Sequence, residues 1–199
     1  MLKKVVFDFD GTLADTFSQM IDLIKNIRPD LSEKEISNYR ELGARGARKE
    51  LKISLKEIFR IMKLVRERQK NIIERAEVFG GIKEVIGELR ERKIEVGILS
   101  SNSRENIEKW LANKTIKVDW VRSESTIFGK EKAIIKVKSS DMLYVGDEVR
   151  DVEACHKIGV KIVAVTWGYN TKNALIKAGA DYVVDSCEEL RKLLLILSQ

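Results

Sequence analysis

Short apolar runs alternate with stretches of helical periodicity along most of the chain. Residues 5–7 (Val-Val-Phe) are apolar on both sides of an extended segment, which is typical of a parallel strand covered by helices on both faces. The predicted strands are residues 3–7, 94–99, 117–121, 142–145, 161–165 and 182–184, and the predicted helices are residues 82–92, 105–113, 130–138, 152–158 and 171–178. Strand–helix–strand units at this spacing predict an α/β fold with a three-layer, Rossmann-like parallel sheet core.

Residues 14–79 break this alternation, because they show helical spacing and no convincing strand. The apolar positions at helical spacing are Phe17, Met20, Ile21, Ile24 and Ile27, followed by Leu55, Ile58, Phe59, Met62 and Val65. Ser32 and Glu35 fit a capping box at the start of a further helix, and Gly80-Gly81 marks the return to the sheet. We therefore predict two domains, an α/β core of residues 1–14 and 80–199 and a small all-helical insertion of residues 15–79.

The composition is that of a folded globular protein, with 44% hydrophobic and 34% charged residues. No apolar stretch approaches the length of about 20 residues that spans a bilayer, and the first residues lack a signal-peptide apolar region. We therefore expect no membrane association and a cytoplasmic location. Two cysteines, Cys155 and Cys187, are too few for a zinc site or a disulfide framework, and a single histidine excludes a histidine-cluster metal site.

The net charge of +6 is spread over helices in which Lys and Glu alternate. Such a distribution is compatible with a small anionic substrate. It provides no uninterrupted basic tract, so we do not expect nucleic acid as a partner.

Chemically reactive side chains follow the predicted strands at the points where those strands end. Asp8 and Asp10 are two like charges that raise each other's pKa unless a cation or a proton intervenes. The carboxyl ends of parallel strands are where such sheets bind ligands. The residues at these ends are Asp8 and Asp10, then Ser100, Ser101 and Asn102, then Lys130, and finally Asp147 and Asp151. Their joint position predicts a ligand site that contains a cation.

Two motifs, DFDGTLADT at residues 8–16 and GDEVRD at residues 146–151, resemble those of the haloacid dehalogenase superfamily of phosphohydrolases. The resemblance covers nearly the whole chain and is strongest to phosphoglycolate-phosphatase-like members, which carry a helical cap after the first strand. The cap is matched only in position and helical character. Two segments depart from the family pattern. No proline follows the lysine in Gly-Lys-Glu-Lys, so that Lys132 competes with Lys130, and Ser-Ser-Asn stands where Thr-Asn is frequent.

The resemblance implies a role for each candidate residue. Asp8 would be the nucleophile that forms an aspartyl-phosphate, and Asp10 would be the general acid and base. Mg²⁺ would be the cofactor, held by Asp8, the backbone carbonyl of Asp10 and Asp147, with Asp151 as a ligand or an outer acceptor. The phosphate of a small phosphorylated metabolite would be bound by Ser100, Ser101, Asn102 and Lys130.

Several alternatives remain open from the sequence. The second aspartate favours phosphoester hydrolysis over dehalogenation, but a phosphosugar mutase of the same superfamily shares every core motif. A non-catalytic binding or regulatory protein with this fold is a third possibility. Arg45 and Arg48 would either bind an acid group of the substrate or belong to a solvated loop. Thr12 would stabilise the turn or hydrogen-bond to Asp10. The segment 167–169 would either lie near the site or serve only in packing.

Overall fold

The structure is a computed structural model that describes residues 2–26, 29–30, 32–38, 40–41, 55–124 and 129–199. Its strands are β1 (Lys4–Phe7), β2 (Glu95–Ser100), β3 (Trp120–Ser123), β4 (Met142–Gly146), β5 (Lys161–Val165) and β6 (Tyr182–Val184). The helices are α1 (Phe17–Lys25), α2 (Leu55–Arg75), α3 (Ile82–Glu91), α4 (Arg104–Lys114), α5 (Lys130–Ile135), α6 (Val149–Lys157), α7 (Lys172–Lys177) and α8 (Cys187–Leu197). Residues 33–38 and 40–41 are also helical.

The six strands form one parallel sheet in the order β3-β2-β1-β4-β5-β6. Successive residues of each strand point to opposite faces, so Val5 and Phe7 enter one apolar cluster and Val6 enters the other. The first cluster includes side chains of α3, α4 and α8, and the second includes side chains of α5, α6 and α7. Helices therefore cover both faces of the sheet, which confirms the predicted three-layer α/β class.

The strand β3 begins three residues later than predicted. The Asp119 carboxylate accepts a hydrogen bond of 2.7 Å from the Val96 backbone N–H, while the Asp119 N–H donates to the Val96 carbonyl at 2.8 Å. Pairing with β2 therefore starts at Trp120 and runs to Ser123, which lies opposite Ser100. This register carries β3 up to the edge where the candidate residues lie.

Two helices differ from their predicted bounds by three residues at one end, and a third helix was not predicted. The helix α6 starts at Val149, three residues early, because Asp151 accepts a hydrogen bond from the Glu148 N–H at 3.1 Å and caps the first turn. The helix α5 ends at Ile135, three residues short of its prediction. The helix α8 was not predicted, because it follows the last strand, where no crossover requires a helix. The Ser186 hydroxyl caps α8 by accepting from the Glu189 N–H at 3.2 Å.

The helical insertion joins the core through two adjacent segments. The Asp15 N–H donates to the Glu77 carbonyl at 2.9 Å, and the Phe79 N–H donates to the Leu13 carbonyl at 3.2 Å. The capping box of Ser32 and Glu35 is confirmed, with the Ser32 N–H donating to Glu35 Oε2 at 2.8 Å. Within the described part of the chain, no helix is long and apolar enough to cross a membrane. The division into two domains stays a prediction.

Candidate active site

Asp8 is fixed at the centre of the carboxyl edge of the sheet. It directly follows β1, and its N–H extends the ladder by donating to the Val145 carbonyl at 2.8 Å. One carboxylate oxygen, Oδ1, accepts from the Phe9 N–H at 2.8 Å, and the other, Oδ2, accepts from Lys130 Nζ at 2.6 Å. The residue is only 4% exposed. Asp8 therefore has a single defined orientation inside a largely buried site.

The ammonium of Lys130 lies between two carboxylates. Lys130 is the first residue of α5, is 4% exposed, and forms ion pairs with Asp8 and Asp151. Burial acts to lower its pKa, but the charges of Asp151 and Asp8 outweigh burial and hold the pKa of Lys130 well above its ordinary value. Lys132, the alternative raised by the sequence, is exposed. The structure thus brings Lys130 into the site, and its binding of phosphate stays a prediction.

Three buried carboxylates converge beside this lysine. Oxygen atoms of Asp8, Asp147 and Asp151 lie within 4.8 Å of one another. Asp147 is fully buried, and its carboxylate accepts from Thr12 Oγ1 at 2.8 Å and from the Tyr169 N–H at 2.6 Å. Three buried carboxylates fit a site for Mg²⁺, because this ion prefers hard oxygen ligands.

Burial and mutual repulsion perturb two of these carboxyl groups. Burial raises the pKa of Asp147 well above its ordinary value, and the charges of Glu148 and Asp8 raise it further. Burial also raises the pKa of Asp151 to about 6, although the nearby Lys130 ammonium acts to lower it. With all three groups ionised, the cluster would carry more negative charge than Lys130 alone offsets, and a bound cation would favour that ionised form.

Asp10 faces a different set of partners. Its Oδ2 accepts a hydrogen bond from Asn102 Nδ2, and the Thr16 side chain also hydrogen-bonds to its carboxylate. Burial, together with the charge of Asp8, raises the pKa of Asp10 from 3.8 to about 6. Among the described residues, the Asp10 carboxylate is outside the convergent group of three. Metal binding by its backbone carbonyl stays a prediction.

The segment after β2 supplies the other predicted phosphate-binding residues. Ser100 is buried, and its Oγ accepts from the Asn102 N–H at 3.0 Å. The Asn102 carbonyl accepts from Ser123 Oγ at 2.6 Å, so that β3 supports this turn. Ser101 is exposed. The structure therefore brings Ser100 and Asn102 to the buried side of the turn, whereas Ser101 lies on its exposed side.

Two supports of Asp147 were not predicted. The sequence suggested that Thr12 steadies its own turn or Asp10, whereas its hydroxyl donates to Asp147. The loop of residues 166–171 follows β5 and packs closely on the same carboxylate. A Cβ atom at Gly168 would collide with Asp147 Oδ2 and with the Gly11 carbonyl oxygen. The sequence placed segment 167–169 near the site, but no sequence pattern identified its backbone as a partner of Asp147.

The helical insertion contacts this same loop through residues that the sequence analysis did not select. Arg40 Nη2 donates to the Gly168 carbonyl at 2.8 Å, and the Arg40 guanidinium lies 5.2 Å from the centre of the Phe17 ring. The Arg40 carbonyl accepts from Asn170 Nδ2 at 2.7 Å, and Glu41 contacts Thr171. The predicted substrate-binding residues Arg45 and Arg48 lie outside the described residues. Their role stays a prediction.

Known proteins resemble the chain over most of its length. Residues 5–165 match the family of haloacid dehalogenase-like hydrolases. A phosphoglycolate phosphatase of Synechococcus elongatus is 29% identical over 202 residues and covers 95% of both chains. An N-acetylmuramic acid 6-phosphate phosphatase of Pseudomonas putida is 25% identical over 217 residues, covering 97% of this chain and 96% of the other.

Solved structures support the same assignment at the level of the fold. The crystal structure of a predicted phosphatase from Clostridium acetobutylicum superposes with a TM-score of 0.79 at 21% identity, covering 98% of this chain and 100% of the other. The family match includes the Asp8 motif, the turn after β2, Lys130 and the two aspartates after β4. The resemblance stated from the sequence is confirmed, and the chain belongs to the haloacid dehalogenase-like hydrolases.

Proposed function

We propose that the protein is a Mg²⁺-dependent phosphatase that hydrolyses a small phosphomonoester through an aspartyl-phosphate on Asp8. One observation carries the proposal. Asp8 is buried and oriented against Lys130, while Asp10, two residues on, has separate hydrogen-bond partners and a pKa of about 6. A fixed carboxylate beside a carboxyl group that titrates near neutrality matches the demands of a nucleophile with an acid–base partner.

The predicted enzyme class, a phosphoric monoester hydrolase, is supported by the family match and by the phosphatases among the relatives. Two of those relatives are named for phosphoglycolate and for N-acetylmuramic acid 6-phosphate. Each of these compounds joins a phosphate to a carboxylic acid. We therefore infer a phosphoglycolate-like substrate, a small metabolite with one phosphate and a second anionic group.

The two aspartates divide the chemistry between them. Asp8 attacks phosphorus in line and forms the aspartyl-phosphate, and Asp10 gives its proton to the leaving alkoxide. Asp10 then accepts a proton from the water that hydrolyses the aspartyl-phosphate, which restores both residues. A carboxyl group with a pKa of about 6 suits both steps, because it is near the working pH in either protonation state.

The remaining residues offset charge and hold the phosphate. A phosphate dianion that approaches Asp8 is repelled unless positive charge lies close, and Lys130 supplies part of that charge. Asp8, Asp147 and Asp151 fit to hold Mg²⁺, which when bound supplies Lewis-acid stabilisation of the phosphoryl oxygens. Ser100 and the backbone amides around it bind the non-bridging oxygens.

The test is release of inorganic phosphate from a panel of phosphorylated metabolites, with Mg²⁺ present. We expect turnover of at least one small phosphomonoester that carries an acid group, and none by Asp8→Asn. Asp15→Asn is a matched control in the same motif, since the Asp15 carboxylate contacts Ser18 outside the site. Absence of turnover across the panel by the metal-loaded parent protein contradicts the proposal.

A phosphosugar mutase is the second candidate, because it uses the same core residues. A mutase moves the phosphoryl group within its substrate and releases no stoichiometric phosphate, so the same assay with product analysis separates the two.

A small phosphorylated substrate and two free cysteines also fit a cytoplasmic location, which we infer on that basis.

A further inference from the structure

The buried ammonium of Lys130 has a third neighbour besides its two carboxylates. Tyr144 lies in β4, and Lys130 Nζ is 5.6 Å from the centre of its ring. Tyr144 is 0% exposed and Lys130 is 4% exposed. An ammonium over the face of an aromatic ring is attracted by the ring, and more strongly when water is excluded from both groups. Because both groups are buried, the cation–π attraction between Lys130 and Tyr144 is expected to be strong.

The ring has a fixed position from which to act. Tyr144 pairs with Val6 of β1 and Ile162 of β5 in the centre of the sheet, and its side chain belongs to the cluster formed with α5 and α6. A lysine side chain has four rotatable bonds, so the position of its ammonium is set by the groups that contact it, here Asp8, Asp151 and the Tyr144 ring. The aromatic ring is therefore a third contact of the ammonium, beside the two carboxylates.

The hydroxyl of Tyr144 does not explain why a tyrosine stands at this position. Among the described residues it has no hydrogen-bond partner, although it is fully buried. Burying an unpaired hydroxyl is unfavourable, so that a phenylalanine would satisfy the surrounding core better. What Tyr144 provides at this position is its ring.

We propose that Tyr144 is a positioning residue for Lys130, whose ring holds the ammonium against Asp8 where the phosphate binds. The proposal rests on the proposed function for its kinetic consequences. Its structural content, that the ring fixes the ammonium of Lys130, stands independently of the reaction. The effect of the ring on Lys130 can be measured separately from the effect of the hydroxyl and from the stability of the core.

Three variants make this separation. Tyr144→Phe keeps the ring and removes only the unpaired hydroxyl, and Tyr144→Leu removes the ring but keeps an apolar side chain. Leu175→Ala is the control for core damage, since Leu175 is fully buried in the same cluster but lies on α7. All three are compared with Mg²⁺ present, at a temperature at which each is folded.

The first measurement is kcat and KM with an aryl phosphate. We expect Tyr144→Phe to remain within about twofold of the parent and Tyr144→Leu to lose about tenfold in kcat/KM, as removal of a desolvated cation–π contact implies. Leu175→Ala should lose thermal stability without a matching loss of kcat/KM. Equal losses in Tyr144→Phe and Tyr144→Leu, or a loss in Leu175→Ala as large as in Tyr144→Leu, would overturn the proposal.

The second measurement does not depend on turnover. Lys130 is acetylated with acetic anhydride for a fixed time, and the labelled fraction is read by mass spectrometry. We expect several-fold more labelling of Lys130 in Tyr144→Leu than in the parent, Tyr144→Phe or Leu175→Ala. Unchanged labelling in Tyr144→Leu refutes the positioning role even if the protein is an active phosphatase. If the parent protein lacks phosphatase activity but Tyr144→Leu exposes Lys130, the proposed function fails and the positioning role stands.

Discussion

The carboxyl edge of the sheet and the contact between the helical insertion and the core are built in contrasting ways. At the sheet edge, Asp8, Lys130 and Asp147 are each at most 4% exposed and have at least two charged or hydrogen-bonding partners. At the insertion, the described contacts with the loop 166–171 include partly buried hydrogen bonds of Arg40 and Glu41 and an edge contact between the rings of Phe17 and Tyr169. Buried, multiply bonded groups are rigid, whereas contacts of the second kind open at low free-energy cost.

This difference suggests a division of labour. The proposed chemistry needs groups held in one geometry, which the sheet edge provides. Substrate entry needs an element that moves, and among the described residues the insertion contacts the loop beside the site through partly buried polar groups. The loop 166–171 lies between the two regions, because the Tyr169 N–H binds Asp147 while the Gly168 carbonyl accepts from Arg40.

The largest expected effect comes from the two aspartates of the sheet edge. Asp8→Asn should abolish phosphoenzyme formation and turnover, because it removes the nucleophile. Asp10→Asn should lower turnover of an alkyl phosphate by about 10²–10⁴-fold, the usual contribution of general acid–base catalysis. Rapid quenching followed by mass spectrometry of the Asp8 peptide checks the first expectation. A phosphoenzyme in Asp8→Asn, or parental rates in Asp10→Asn, would show that the roles are wrong.

Removal of the metal should have an effect of similar size. Dialysis of the protein against a chelator is expected to abolish phosphate release, and addition of Mg²⁺ is expected to restore it, because three buried carboxylates need a cation between them. Mg²⁺ should also raise the melting temperature of the parent protein, but raise it less in Asp147→Asn, which lacks one ligand. Full activity after chelation contradicts this expectation.

A methyl group placed between the two regions should have a smaller but clear effect. In Gly168→Ala the new Cβ would collide with Asp147 Oδ2 and the Gly11 carbonyl, so that either the carboxylate or the loop must shift. We expect about tenfold or more loss of kcat and about 1–3 kcal/mol loss of stability, as for overpacking. Gly87→Ala is the control, because its Cβ meets no atom within 4 Å and lies in α3. The control should gain up to about 1 kcal/mol, since Ala favours a helix over Gly. A fall in kcat of equal size in both variants would contradict the explanation.

The sequence predicted the sheet edge better than the contact of the insertion, for physical reasons. Residues that end parallel strands are brought together by the sheet itself, so the strand pattern and the DFDGTLADT and GDEVRD motifs suffice to group Asp8, Asp147 and Asp151. They do not show that the Asp10 carboxylate lies outside this group. The start of β3 depends on Asp119, whose carboxylate, in place of a backbone carbonyl, accepts the hydrogen bond from the Val96 N–H. No local sequence pattern shows that a side chain will take the place of a backbone group in strand pairing.

The contact of the insertion depends on residues far apart in the sequence. The sequence does not single out Arg40, because a charged residue in a helix is expected to be solvated unless its partner is known. Its partner is a backbone carbonyl 128 residues away. The hydrogen bond of Thr12 to Asp147 spans 135 residues. The sequence predicts a nearer partner for Thr12, because local patterns do not show such distant contacts.

Weakening the contact of the insertion should have small effects of similar size on KM and on stability. Arg40→Ala removes the hydrogen bond to the Gly168 carbonyl and the contact with Phe17, and we expect a few-fold rise in KM with a loss of about 1 kcal/mol of stability. Arg60→Ala, an exposed position on α2, is the control. Loss of several kcal/mol in Arg40→Ala would mean that the insertion is bound to the core as rigidly as the sheet edge is built.

A further expected effect is a difference in sign between the two regions when the free energy of unfolding of the metal-free protein is measured against pH. The pKa of Asp10 rises from 3.8 to about 6 on folding, so the native state keeps this proton after the unfolded chain has lost it. Stability from this group is therefore lost as the pH rises from about 4 to about 6, by at most about 3 kcal/mol. Asp10→Asn should remove that loss, and its advantage over the parent should grow across the same interval.

Glu41 should act in the opposite direction. Hydrogen bonds from Thr171 and Lys177 hold its pKa below the ordinary value of 4.5, so its contribution is present above that pH and disappears as the pH falls through the lowered value. Glu41→Gln should therefore destabilise the protein at pH 7 and have little effect at pH 3. The measurement is the free energy of unfolding in urea at a series of pH values for the parent and both variants. The two curves are expected to diverge from the parent with opposite signs above pH 6. Two variants that shift stability in the same direction would contradict the contrast between a sheet edge of buried, mutually repelling carboxylates and a favourable polar contact of the insertion.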